Sequence, residues 1–187
     1  MPLSTEARAD LVAALQPHVA AMAEDLRLRL VDPGTRAESA ARRAATRLHG
    51  EEGVGEALDV WLDLLGRRAA VLWVLKFVYV RVLEDRGLIR PRLVDPTHQS
   101  LFERLAPNLG DTAFVRWVFL DLAQPNGGLP ELFAPQPAEV LPPADAHTRA
   151  LLALFRDADK DTHVRRFDFT DEHFDGQLLG DLYQELD

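Results

Sequence analysis

The stretch 69–83, AAVLWVLKFVYVRVL, decides the fold. Thirteen of its fifteen positions are apolar, and only Lys76 and Arg81 interrupt it. A membrane span needs about 20 apolar residues; this run is shorter and charged in its middle. Its wealth of Val, Trp, Phe and Tyr makes a strand the competing reading. Its length and the flanking Leu64, Leu65, Glu84 and Asp85 predict instead a helix apolar on most sides, which belongs at the centre of a bundle. Gly87 stands at the left-handed position that ends such a helix.

Upstream, Leu11, Leu15, Val19, Met22, Leu26 and Leu30 recur at three and four residues, so Ser4 caps a helix with one apolar face. Pro17 inside it predicts a kink or a break near Gln16. Asp32-Pro33-Gly34 is a turn. An alanine- and arginine-rich helix over 35–49 follows, ending near Gly50, then a glycine-containing loop over 50–55. A helix from 56 to 65 leads into the apolar run.

Downstream, Asp95-Pro96 opens a helix to Ala106, with proline at its first position. Asp111 caps another, through Phe114, Val115, Trp117, Val118, Leu120 and Leu122. Residues 125–143 hold six of the twelve prolines, an irregular connection with one turn of helix at 130–133. Asp145 caps a helix to Ala158, and His163–Phe169 reads as a short strand. Thr170 caps a last helix whose face carries Phe174, Leu178, Leu179, Leu182, Tyr183 and Leu186. The expectation is all-α: one domain over 1–187, a multi-helix bundle around a central apolar helix, with a Pro-rich connection and at most one short strand.

The 187 residues include 30 acidic and 21 basic side chains, for a net charge of −9. Acidity argues against strong independent DNA binding, where phosphate neutralisation dominates affinity. The charge is uneven: residues 1–50 are nearly neutral, with seven basic and six acidic side chains, whereas 141–187 hold five and eleven. Cysteine is absent, which excludes disulfides, a thiolate nucleophile and thiolate metal ligands. No basic-then-apolar leader begins the chain, so a cytoplasmic protein without a membrane partner is expected.

Chemical motifs are sparse. Asp157, Asp159 and Asp161 have the spacing of a calcium loop, with Asp168 at the twelfth position. Thr162 stands where the loop wants glycine, and Arg165 brings a cation to the ninth place, so the stretch reads as a solvated acidic turn. His18, His49, His98, His147, His163 and His173 include no helical zinc pair. Ser4, Ser39 and Ser100 lie in no nucleophile elbow. Gly53 and Gly55 form no phosphate loop. No catalytic residue, metal ligand or cofactor-binding residue is assigned to this chain. Two arginine clusters remain. Arg36, Arg43 and Arg47 share a helix face with Arg42 nearby, and Arg86, Arg90 and Arg92 follow the central helix. They read either as solvated charges paired with Glu38, Glu84 and Asp85 or as phosphate contacts made beside a larger DNA-binding body.

Two segments carry a family resemblance. The first is residues 59–89, DVWLDLLGRRAAVLWVLKFVYVRVLEDRGLI. With its Trp61-Leu62 pair, apolar helix and Val80-Arg81-Val82-Leu83-Glu84-Asp85-Arg86-Gly87-Leu88-Ile89 ending, it resembles the N-terminal helical region of PglX-type adenine-specific DNA methyltransferases. Those enzymes belong to bacterial phage-defence systems: phage growth limitation, BREX and DISARM-like systems. The second, Phe174–Leu186, FDGQLLGDLYQEL, resembles the segment just before the methyltransferase domain, here Leu179-Gly180-Asp181-Leu182-Tyr183-Gln184-Glu185-Leu186. Type I restriction modification subunits have a similar segment.

The resemblance implies a non-catalytic helical domain that positions the catalytic domain, docks a partner or contacts the DNA backbone. The S-adenosylmethionine loop and the Asn-Pro-Pro-aromatic loop lie beyond the second segment in that family, so the catalytic domain is expected after 187. Leu141-Pro142-Pro143-Ala144 has neither the hydrogen-bond acceptor nor the stacking ring that a flipped adenine needs. Implied partners are the parent's methyltransferase domain, other defence proteins, and duplex DNA through the parent. Leu178, Leu179, Leu182 and Tyr183 are the expected interdomain docking residues. The alternative is a free-standing helical adaptor or regulatory protein-binding module.

Overall fold

A computed structural model describes residues 5–53, 55–125, 128–170 and 177–186. The helices run α1 Thr5–Val31, α2 Arg36–Glu52, α3 Leu58–Asp85, α4 Pro96–Leu105, α5 Gly110–Leu122, α6 Pro130–Phe133, α7 Asp145–Arg156 and α8 Gln177–Leu186. Among the described residues no strand forms, only one antiparallel bridge between Ala158 and Arg165. The architecture is an all-α, multi-helix bundle. α1 runs antiparallel to α3, with Ala23 beside Gly66 and Arg27 beside Asp63. A Cβ at Gly66 would meet the Ala23 carbonyl at 3.1 Å, so glycine there sets how closely the two helices approach. α2 and α8 also pack on both α1 and α3.

α1 passes through Pro17 without the break expected near Gln16. Ala13 and Pro17 both lie on the solvent face, so water can take up the carbonyl that loses its helical donor. Ser4, and residues 171–176 where the last helix was expected to start after Thr170, lie outside the described residues.

α2 begins with a complete capping box. The Thr35 hydroxyl accepts the Glu38 N–H at 3.1 Å, and the Glu38 carboxylate accepts the Thr35 N–H at 2.9 Å. Glu38 also takes the Arg29 guanidinium at 2.8 Å, and that hydrogen bond holds its carboxyl below the usual pKa. Thr35→Ala is expected to cost about 1 kcal/mol in urea denaturation. The helix ends three residues later than the Gly50 boundary predicts. Gly53, at φ 61°, supplies the left-handed cap, while Gly50 stays helical.

The two segments expected at 56–65 and 69–83 form one helix, α3. Trp61, Leu62, Val71, Val74, Phe77 and Val80 are all buried. Its end is a Schellman motif: Gly87, at φ 67°, donates to the Glu84 carbonyl and Leu88 to that of Leu83. The two charges inside the apolar run are paired. Lys76 donates to Glu139 at 2.5 Å and to the Ala134 carbonyl at 3.0 Å, stapling the Pro-rich connection to α3. Arg81 is fully buried and bonds Glu84 at 2.6 Å and both Asp85 oxygens at 2.7 and 2.8 Å.

The C-terminal half corrects several local expectations. Asp111 does not cap α5; it lies in the first turn and takes Gln99 and Arg149. The cap comes from Asp145, which accepts the Thr112 N–H at 2.9 Å and is itself the first residue of α7 rather than its cap. α7 ends at Arg156, two residues short of Ala158. His163–Phe169 pairs only through the one bridge, and its backbone closes on itself through Asp159 N–H to Val164 O and Arg166 N–H to Asp157 O. No neighbouring strand stands among the described residues to extend a ladder, so the alternating aromatic residues turn into the helices. Phe167 and Phe169 both approach Phe155.

Candidate functional site

The seven candidate arginines have different fates. Arg42 points back to α1 and donates to the Leu30 and Val31 carbonyls at 2.7 and 2.5 Å, so it caps the C-terminus of that helix. Arg92 pairs with Asp121, and its backbone N–H is held by Glu84. Arg86 is exposed at the end of α3 and also has a partner within the chain. Arg90 is exposed on the loop beyond α3. The pairing expected of the α2 cluster with Glu38 does not form, because that carboxylate is occupied by Arg29 and the capping box.

Arg36, Arg43 and Arg47 remain. All three are exposed and make no ion pair or hydrogen bond. Their spacing of seven and four residues puts them on one face of α2, spread over about 16 Å of rise. Ala40 and Gly50 also lie on that face, and one acidic residue, the exposed Glu51, stands a turn beyond Arg47 at its end. Small neighbours leave the guanidinium groups room to reach a flat or curved anionic surface. Each can pair two phosphate oxygens at once.

Of the expected docking residues, Leu182 is fully buried, as is its neighbour Leu186 at 2% exposure, on a helix packed with this chain's own α1 and α3. Arg8 of α1 bonds Asp181 at 2.7 Å and also takes Glu185, which fastens α8 from outside. Tyr183 is 39% exposed. The side chains of Leu178 and Leu179 lie outside the described residues. Of the expected set, Tyr183 rather than Leu182 therefore stands at the surface of α8.

The acidic turn is internally satisfied. One Asp159 oxygen accepts the Asp161 and Thr162 N–H groups at 2.9 and 2.8 Å and the Thr162 hydroxyl at 3.0 Å; the backbone donors hold its carboxyl below its usual pKa. Among the described residues no group of three or more histidines and carboxylates could hold a metal ion. His98 stacks on Trp117 at 4.9 Å, and burial, then nearby Arg92, pushes its pKa below the usual value. His49 stands edge-on to Trp61 at 5.4 Å. His18 is likewise lowered, first by burial and then by His147.

Sequence reasoning missed two features. One is the buried Arg81–Glu84–Asp85 knot, signalled only by spacing of three and four on a helix. The other is a groove along α3, beside α6. No helix among the described residues is long and apolar enough to cross a membrane. Comparison with protein-family models, with curated proteins and with solved structures finds no match to this chain.

Proposed function

We propose that this chain is the non-catalytic helical N-terminal domain of a phage-defence, S-adenosylmethionine-dependent adenine DNA methyltransferase, and that it adds DNA backbone contacts through α2. The observation that carries the reading is the stripe of Arg36, Arg43 and Arg47, the part of the arginine set that is exposed on one helix and left unpaired. Backbone contacts position a protein on DNA without reading sequence, which suits a domain that steadies a separate catalytic body. The parent would flip the target adenine into its own pocket. Such a module works in the cytoplasm, with the methyltransferase domain as its first partner.

The test is fluorescence anisotropy of the 187-residue chain with a labelled 30-base-pair duplex at 50 and 200 mM salt. Weak, salt-sensitive binding is expected. Changing all three arginines to Gln should flatten the slope of log K against log salt by about 2.7, at about 0.9 per phosphate contact. An unchanged slope, or calorimetric binding of S-adenosylmethionine by this chain alone, would sink the reading.

The burial of Leu182 and Leu186 within the chain favours a second reading, a free-standing helical adaptor. An adaptor has no need of a neighbouring domain to cover α8.

A further inference from the structure

α3 leaves one face open. Val60, Leu64, Arg68, Leu72, Leu75 and Tyr79 follow at intervals of four, four, four, three and four residues. They form one ridge about 28 Å long. Val60 and Leu64, at its start, are 53% and 51% exposed. The remaining four floor a groove of about 450 Å³, walled by Leu132 and Pro137. A contiguous apolar face of this kind marks a surface that another molecule covers.

The charges in the groove point to the occupant. Lys76 is engaged by Glu139 and the Ala134 carbonyl. Arg68, Glu52 and Glu131 also line the groove, and none of them has an ion pair or hydrogen bond within the chain. Two carboxylates rule the face out for nucleic acid. A partner charged with one sign would leave the other sign unmatched. Across a two-fold axis the unpaired Arg68 of one copy can meet the unpaired carboxylates of the other, and the reverse, as an isologous interface requires. Val60 and Leu64 stand out at the end of the same face, in line with the groove floor.

We propose that the α3 face binds a second copy of this chain in a two-fold symmetric dimer, with Arg68 of each copy meeting Glu52 and Glu131 of the other. The exposed Val60 and Leu64 of each copy pack against the apolar lining of the other's groove. The proposal is independent of DNA binding, because the arginine stripe lies on other residues.

Sedimentation equilibrium of the 187-residue chain between 5 and 200 µM tests it. The expected mass is twice the 20.9 kDa of the chain. Leu64→Glu, at an exposed position, should weaken association at least tenfold with unchanged helical circular dichroism. Arg68→Glu should weaken it similarly. Adding Glu52→Arg and Glu131→Arg to Arg68→Glu should restore it to within threefold, which a merely structural role for these residues would not produce. A monomer mass over the whole range overturns the proposal, as does a dimer indifferent to Leu64→Glu. Failure of the charge exchange to restore association overturns the assigned pairing.

Discussion

Replacing Arg81 by Met is expected to remove about 3–5 kcal/mol of folding stability, read as a lowered urea midpoint at unchanged slope. The size follows from what is left behind. The Arg81 side chain is fully buried, with Glu84 at 0% and Asp85 at 5% side-chain exposure. Glu84 also accepts the Arg92 and Leu93 N–H groups at 2.5 and 2.6 Å, and Asp85 accepts the Phe169 N–H at 3.0 Å. These bonds fix both carboxylates in place, so neither can swing into water when the cation is gone. Two buried carboxylates would then stand side by side, with only the more exposed Arg165, 3.7 Å from Asp85, left as a cationic neighbour. Adding Glu84→Gln and Asp85→Asn should therefore recover part of the loss, because it removes the stranded charges. Arg81→Lys should fall between, since an ammonium cannot reach three oxygens with the fork of a guanidinium. Recovery by the triple variant separates this account from one in which Arg81 matters only for its packing volume.

Phe155→Ala is expected to cost about 3–5 kcal/mol by the same measurement. Phe155 is 2% exposed and lies stacked on Phe77 of α3, with ring centroids 5.4 Å apart at 21°. Phe167 and Phe169 approach it at 6.0 and 6.4 Å. The ring joins α7, α3 and the segment after α7, so three parts of the chain line the space it fills. The space it leaves is therefore costly to close. Phe155→Leu should lose less, because it fills part of the void. Asp85 holds the backbone of the same segment at Phe169, so Asp85→Asn and Phe155→Ala should couple by about 0.5–3 kcal/mol in a double-mutant cycle. Strict additivity would show that the ring and the carboxylate anchor the segment independently.

The contrast between these residues shows how far the sequence could be read. Local signals held: the apolar run 69–83 is helical and Gly87 is left-handed. Each depends on residues within five positions of one another. Signals that depend on a partner elsewhere in the chain failed. Arg42 looked like a surface cation, yet it caps α1 from eleven and twelve residues away. Asp145 stands at the start of α7 but serves α5, at Thr112. Gly50 and Gly53 are alike as residues, and only the backbone angle tells which of them ends the helix. The arginine spacing on α2 was visible in advance. That Arg36, Arg43 and Arg47 stay unpaired became clear only once Glu38 was seen to be occupied by Arg29. The α3 groove had no signal at all, because its far wall comes from the irregular stretch around Leu132 and Pro137.

The grip of Arg8 on Asp181 and Glu185 has a consequence for how the chain could be rewired. It brings the first turns of α1 and the last turns of α8 within one side chain's reach, although 173 positions separate Arg8 from Asp181. A short glycine-serine bridge could join those ends, and new ones could be opened in the exposed loop between α2 and α3. Such a circular permutant keeps every helix pair described above. Chain leading into the first turn of α1 and chain leaving the last turn of α8 would therefore meet at the side of the bundle that Arg8 occupies.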